Sequence, residues 1–192
     1  MGRPKKYNRE EVLQKAVHVF WEHGYENTSV RMLEERLGIN QKSLYAEFSN
    51  KERLFLEVLK HYQLFHGKNI LAPLLQSEGN LEDIRTFFND FVKNAKSGTL
   101  PNGCLLANTM MEFGSSNTNV KTELEGYYQL IYGAFFKMLT KAKEKGNLGI
   151  EADVSKLANY LFGCTEGLMV IVKVLDNKAL SAYIEVIMKS II

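Results

Sequence analysis

Proline stands at only three of the 192 positions, Pro4, Pro73 and Pro101. Proline breaks helix interiors because its ring fixes φ and removes a backbone donor. Two long stretches, 5–72 and 102–192, are therefore open to uninterrupted helix. They are rich in Leu, Lys, Glu and Ala, which lose little freedom in a helix, and they lack the closely spaced turn signals of a β sandwich. The expected fold class is all-α. Apolar residues at 45% and charged residues at 24% are ordinary for a globular chain and exclude wholesale disorder or a fibre.

Apolar periodicity divides the chain into about nine helices. Asn8 is a helix N-cap, with Glu10 and Glu11 in the first turn and Val12, Ala16, Val19 and Phe20 on one face. Gly24 is its natural stop. Thr28 or Ser29 caps a short helix with Val30, Leu33 and Leu37 turned inward, and Gly38 ends it. Only Ile39 and Asn40 precede a third helix, 41–48, that buries Leu44 and Phe48. Two short helices joined by a glycine-containing turn form a helix-turn-helix. Ser49 and Asn50 then open a helix over 51–66, followed by 81–97 from Asn80, 104–113, 117–145, 152–174 and 177–190. The reading is a domain over 1–50, with a basic arm ahead of three helices, and a larger helical domain over 51–192.

Net charge is +2, and it is unevenly placed. Residues 1–53 hold 10 Lys and Arg against 8 acids, whereas 54–192 hold 14 of each. Residues 1–9 carry Arg3, Lys5, Lys6 and Arg9 with no acid, so the excess is a short arm. Such an arm suits a polyanion, and equally a solvated tail. A helix-turn-helix points the N-terminus of its second helix at base edges in the major groove; here that end is Asn40, Gln41, Lys42 and Ser43. Gln pairs with adenine and Lys reaches guanine. Tyr45 would stand at the groove wall, Thr28 and Lys51 sit at helix starts suited to phosphate, and Arg3 would reach an adjacent minor groove. A plain helical hairpin with a polar surface fits the same pattern.

Three stretches carry a closer likeness: Phe20-Trp-Glu-His-Gly-Tyr-Glu-Asn-Thr-Ser-Val30, Leu37-Gly-Ile-Asn-Gln-Lys-Ser-Leu-Tyr45 and Phe48-Ser-Asn-Lys-Glu-Arg-Leu-Phe55. Residues 8–60 closely resemble the N-terminal domain of the TetR family of bacterial transcriptional regulators. The resemblance implies that Gln41, Lys42, Ser43 and Tyr45 lie on the recognition helix and that Thr28 and Lys51 touch backbone phosphate. Ala46-Glu47 departs from the family pattern, and Glu47 is expected to point away from DNA. Beyond residue 66 the resemblance weakens. It implies an all-helical ligand-binding domain that dimerises through its last two helices.

The expected function is a ligand-responsive, DNA-binding regulator, a repressor released from double-stranded operator DNA by a small apolar or aromatic effector. Aromatic and sulfur-bearing faces propose Tyr62, Phe65, Phe88, Phe91, Met110, Phe113, Tyr128, Tyr132 and Phe135 as pocket residues, or as plain core. Glu112 is the one acid within its apolar stretch, placed to meet a ligand or to pair with a protein donor. The 152–174 helix leaves a second apolar set free, including Tyr160, Gly163, Gly167 and Val170. With Tyr183 and Ile187 of the last helix, this is the expected homodimer face; intramolecular packing is the alternative.

Asn102-Gly-Cys-Leu, with Glu112 eight residues after the cysteine, is similar to an electrophile-responsive subgroup of that family, which makes Cys104 a possible sensor. Its place at a helix N-terminus would lower a thiol pKa; a small buried side chain is the other reading. Cys164 lies mid-stripe in the core. Two cysteines this far apart make no disulfide framework. No metal or cofactor is expected, because His18, His23, His61 and His66 lack ligand spacing. An enzyme with Cys104 as nucleophile would need a base and an oxyanion site that no motif supplies. The polar, basic start is not expected to be a secretory signal and Lys6 spoils a myristoylation signal. No apolar run is long enough for a membrane span. The expected location is the cytoplasm.

Overall fold

Four short polar side chains set the N-terminal third. Asn8 accepts from the Glu10 N–H and opens α1 (Arg9–His23). Ser29 accepts from Met32 and opens α2 (Val30–Leu37). Asn40 accepts from Ser43 and opens α3 (Gln41–Phe48). Asn50 accepts from Arg53 and opens α4 (Lys51–Tyr62). Each bond satisfies a donor that the helix start leaves unpaired. Gly38 ends α2 in the left-handed region at φ 70°, where a side chain would be strained, so the chain reverses within a few residues into α3.

The computed structural model describes residues 7–97, 103–114 and 116–191, with the backbone alone at 65, 66 and 68. Among these residues there is no strand. After α4 the chain winds into a π-helical turn, Gln63–Gly67, then two short helices, α5 (Lys68–Ile70) and α6 (Ala72–Leu75). The sequence reading carries α4 unbroken to residue 66 and omits α5 and α6. Five longer helices complete the chain: α7 (Glu82–Lys96), α8 (Leu105–Phe113), α9 (Thr118–Glu144), α10 (Val154–Ile171) and α11 (Asn177–Ser190). No helix among the described residues is long and apolar enough to cross a membrane.

One core runs through the molecule. In the N-terminal part Ala16, Phe20, Leu33, Leu44, Phe48 and Phe55 are buried together. In the larger part Phe87 and Phe88 of α7 meet Phe135 of α9 with ring centroids 5.3 and 6.2 Å away. α10 lies along α9 and α11 along α7. α1 packs on α4, so the last turn of α1 reaches the larger part directly. Trp21 donates its indole N–H to the Gly103 carbonyl at 3.0 Å and meets Tyr62 edge-on at 5.6 Å.

Candidate nucleic-acid interface and effector cavity

The N-terminal end of α3 presents polar side chains to solvent. Gln41 and Lys42 are exposed at its first two positions, while Ser43 and Tyr45 are half-buried. Leu44 and Phe48 anchor the opposite face in the core. Glu34 of α2 accepts the Gln41 backbone N–H, which fixes the angle between the two helices. Glu47 turns away from this surface, as expected: it pairs with Arg9 at 3.2 Å and accepts from the Tyr7 hydroxyl at 3.0 Å.

Other expected contacts are placed differently. Thr28 is fully buried and its hydroxyl donates to the Gly24 carbonyl. It locks the α1–α2 turn and cannot reach phosphate; Ser29 is the cap. Arg9 pairs with Glu47 and Glu57 and stacks over Phe48 at 5.2 Å, so it ties α1 to α3 and α4 and is no free charge of the arm. Arg3 lies outside the described residues. Lys51 stands at the start of α4, but its ammonium rests on the Tyr25 ring at 4.2 Å. Burial lowers its pKa, opposed by Glu26 and Glu112 nearby.

Between α4, α7, α8, α9 and α10 lies a cavity of about 30 Å³, room for a single water. Its apolar wall includes Phe87, Phe91, Leu106, Ile131 and Met169, and the π turn contributes Gln63 and Gly67. π turns interrupt regular helices, often at functional positions. Tyr62, Cys104, Tyr127 and Thr165 supply the other polar atoms. The Tyr127 hydroxyl donates to Glu166 at 3.1 Å and lies 3.6 Å from the Cys104 sulfur. Burial outweighs that hydrogen bond and holds the Glu166 carboxyl up at about 7. Burial also pushes the Cys104 thiol up, although it precedes a helix N-terminus.

Of the expected pocket residues, Tyr62 and Phe91 line this cavity. The Phe65 side chain lies outside the described ones. Phe88 and Phe135 are wholly buried in the aromatic core, and Met110 packs against the core away from the cavity. Tyr128 and Tyr132 stack at 5.5 Å on the side of α9 that faces α10, away from the cavity, their hydroxyls held by Asn159 and Ser155. Phe113 packs on Tyr25 and Phe55, 5.1 and 5.7 Å between centroids. Glu112 is exposed and accepts from the backbone N–H groups of Tyr25 at 3.0 Å and Glu26 at 2.8 Å. Its partner is the N-terminal part, through Gly24, whose missing Cβ would stand 3.0 Å from the carboxylate.

α8 therefore joins the two sites. Cys104, just ahead of it, is in the cavity wall; Glu112 and Phe113, at its far end, hold the turn before α2. The sequence reading misses Phe87, Tyr127, Thr165 and Met169 as cavity residues.

The expected dimer face is partly in place. Tyr160 and Val170 are exposed on α10, as is Val174 just beyond it, and a Cβ added at Gly163 would meet nothing within 4 Å. Gly167 is covered within the protomer by the Tyr183 hydroxyl, and Ile187 is buried inward, 1% exposed, because α11 turns that face towards the protomer core. Cys164 is buried, as expected. Among the described residues no cluster of His, Cys, Asp and Glu could hold a metal.

Comparison with known proteins agrees with this geometry. The model of bacterial regulatory proteins, tetR family, matches residues 12–58, and that of the tetracyclin repressor-like C-terminal domain matches 80–187. The chain is 34% identical over 164 residues to the uncharacterized HTH-type transcriptional regulator YezE of Bacillus subtilis (strain 168), covering 84% of each. It is 30% identical over 170 residues to the HTH-type transcriptional repressor ComR of Escherichia coli (strain K12), covering 88% of this chain and 81% of that one. A cysteine mutant of the TetR family regulator CifR, complexed with 26 bp double-strand operator DNA, superposes with a TM-score of 0.87 at 27% identity over the whole of both chains. Reduced E. coli NemR shares the fold, with a TM-score of 0.81 at 19% identity over 96% of this chain and 97% of that one.

Proposed function

The chain belongs to the TetR family of bacterial DNA-binding transcriptional regulators, and we propose that it is a homodimeric repressor released from operator DNA by a small, largely apolar effector. In this reading residues 1–50 bind DNA and residues 51–192 bind the effector and dimerise, in the cytoplasm and without a cofactor. Gln41 and Lys42 read bases. Ser43, Tyr45 and Lys51 contact backbone, with Arg3 in the minor groove. Tyr160, Gly163 and Val170 face the partner.

The observation that carries the effector reading is α8, with one end in the cavity wall and the other hydrogen-bonded to the reading head. A cavity that holds one water must open to admit a larger molecule. Movement of its walls at Cys104 and at the π turn is then transmitted along α8 to Tyr25 and Glu26. Two reading heads must meet successive major grooves, roughly 34 Å apart, so a shift of a few ångströms spoils the register. An effector acts only by the difference in its affinity for the two arrangements.

The competing reading makes Cys104 a covalent sensor. Its sulfur lines the cavity, which favours it, but burial keeps the thiol protonated and so weakly nucleophilic. The test is fluorescence anisotropy on duplex DNA from upstream of the protein's own gene, titrated with apolar ligands. Release by such ligands in both wild type and Cys104→Ala is expected. Indifference to every ligand, with collapse of binding on Cys104 alkylation, would overturn the effector reading in favour of the thiol.

A further inference from the structure

The polar edge of the cavity has a direction. Tyr127 has one hydroxyl proton, and it goes to the Glu166 carboxylate. The Cys104 sulfur, 3.6 Å from the same oxygen, must then be the donor in that pair. Cys104 and Tyr127 thus form a chain whose protons run towards Glu166.

Of the other polar groups of the wall, Thr165 donates to the Leu161 carbonyl at 2.9 Å, and the Gln63 amide at the π turn spends one of its two protons on the Glu123 carbonyl at 3.0 Å. At Tyr127 the cavity is offered oxygen lone pairs rather than protons. A carbonyl or carboxylate ligand placed there would find an acceptor facing an acceptor, which leaves buried polar atoms unpaired. A charged ligand would further lose its hydration against Phe87, Phe91, Ile131 and Met169.

Building on the effector reading above, we infer that the effector is an uncharged alcohol or phenol, its apolar body among Phe87, Phe91, Ile131 and Met169 and its hydroxyl donating to the Tyr127 oxygen. Space for the body lies behind the π turn. An outer groove of about 370 Å³, lined by Lys60, Leu64, Leu75 and Gly126, shares Gln63, Gly67 and Leu130 with the cavity. Those three residues are the partition, and moving it joins the two spaces.

Four one-ring probes test the assignment: phenol, toluene, benzaldehyde and benzoate, measured by calorimetry at about pH 8, where Glu166 is largely ionised, with DNA release followed separately. Phenol is expected to bind about tenfold more tightly than each of the others, the effect of one satisfied hydrogen bond. Tyr127→Phe should bring phenol down to the toluene level while toluene binding persists. Cys104→Ser keeps a donor in place and should keep the phenol preference; it serves if the Phe variant does not fold. Glu166→Gln lets an amide proton reach Tyr127 and frees the phenol proton for the ligand, so benzaldehyde should gain on phenol. Equal binding of toluene or benzaldehyde and phenol, or tighter binding of benzoate, overturns the hydroxyl assignment and leaves the effector cavity standing. If none of the four binds or releases DNA, both fall.

Discussion

Glu166→Gln isolates the effect of one buried carboxylate on stability. In the folded protein this group is held at about 7 against an ordinary 4.5, because burial penalises its charged form more than the Tyr127 hydrogen bond favours it. Between those two values the folded state keeps a proton that the unfolded chain has released. Stability therefore falls as pH rises from 4.5 through about 7. The penalty is absent below the lower value and complete above the upper one. The gap between them corresponds to about 3 kcal/mol. Gln has the same shape, keeps a hydrogen bond with Tyr127 and carries no charge to bury. The variant should gain on wild type by about 3 kcal/mol between pH 4.5 and pH 8. For a chain of this size each kcal/mol moves Tm by roughly 2–4 °C. Melts followed by circular dichroism, at one protein concentration because a dimer melts in a concentration-dependent way, would give the difference at each pH. Parallel Tm profiles for the two proteins would refute the argument and place the carboxylate in water.

DNA binding is expected to weaken steeply with salt. Lys51→Ala should weaken all sequences alike and reduce the salt slope by about 1, whereas Lys42→Ala should relax preference at one base pair by about 1–3 kcal/mol; uniform loss in both, measured by anisotropy, would undo that division of roles. Gly163→Trp should turn the dimer into monomers by light scattering without lowering helix content, because a Cβ there opens into free space within the protomer. Phe88→Ala should cost about 3–5 kcal/mol in denaturant melts, since Phe88 is wholly buried between Phe87 and Phe135; a selective loss of effector response at full stability would contradict that placement.

What the sequence made legible was local. Asn8, Ser29, Asn40 and Asn50 cap their helices within two or three residues of themselves, and Gly38 ends its helix by its own φ. The reading head could be drawn because its parts are neighbours in the chain. The cavity could not, because its walls come from five helices. Tyr127 and Tyr128 are one residue apart, about 100° around α9; the stripe through 128 and 132 is half-buried beside α10, and the stripe through 127, 131 and 134 is buried in the core. Glu112 reads as an acid in an apolar run, and nothing local announces that its partners lie 86 and 87 residues earlier. The π turn, Gln-Leu-Phe-His-Gly, contains one poor helix former, Gly67, which reads as a helix end and not as a π turn. Thr28 stands beside the true cap, and only its contact with Gly24 shows that it faces inward.

The double attachment of α8, by Trp21 on Gly103 and by Glu112 on Tyr25 and Glu26, sets a rule for building hybrid regulators. A reading head grafted at residue 50 from another regulator would bring its own residues to positions 21 and 25, where the recipient's α8 expects an indole donor and a turn with two open N–H groups. Such a graft could recognise its new operator and still be deaf to the recipient's inducer. Carrying Trp21 and the Gly24–Glu26 turn into the graft, or bringing the donor's own α8 with its head, would keep the signal path whole.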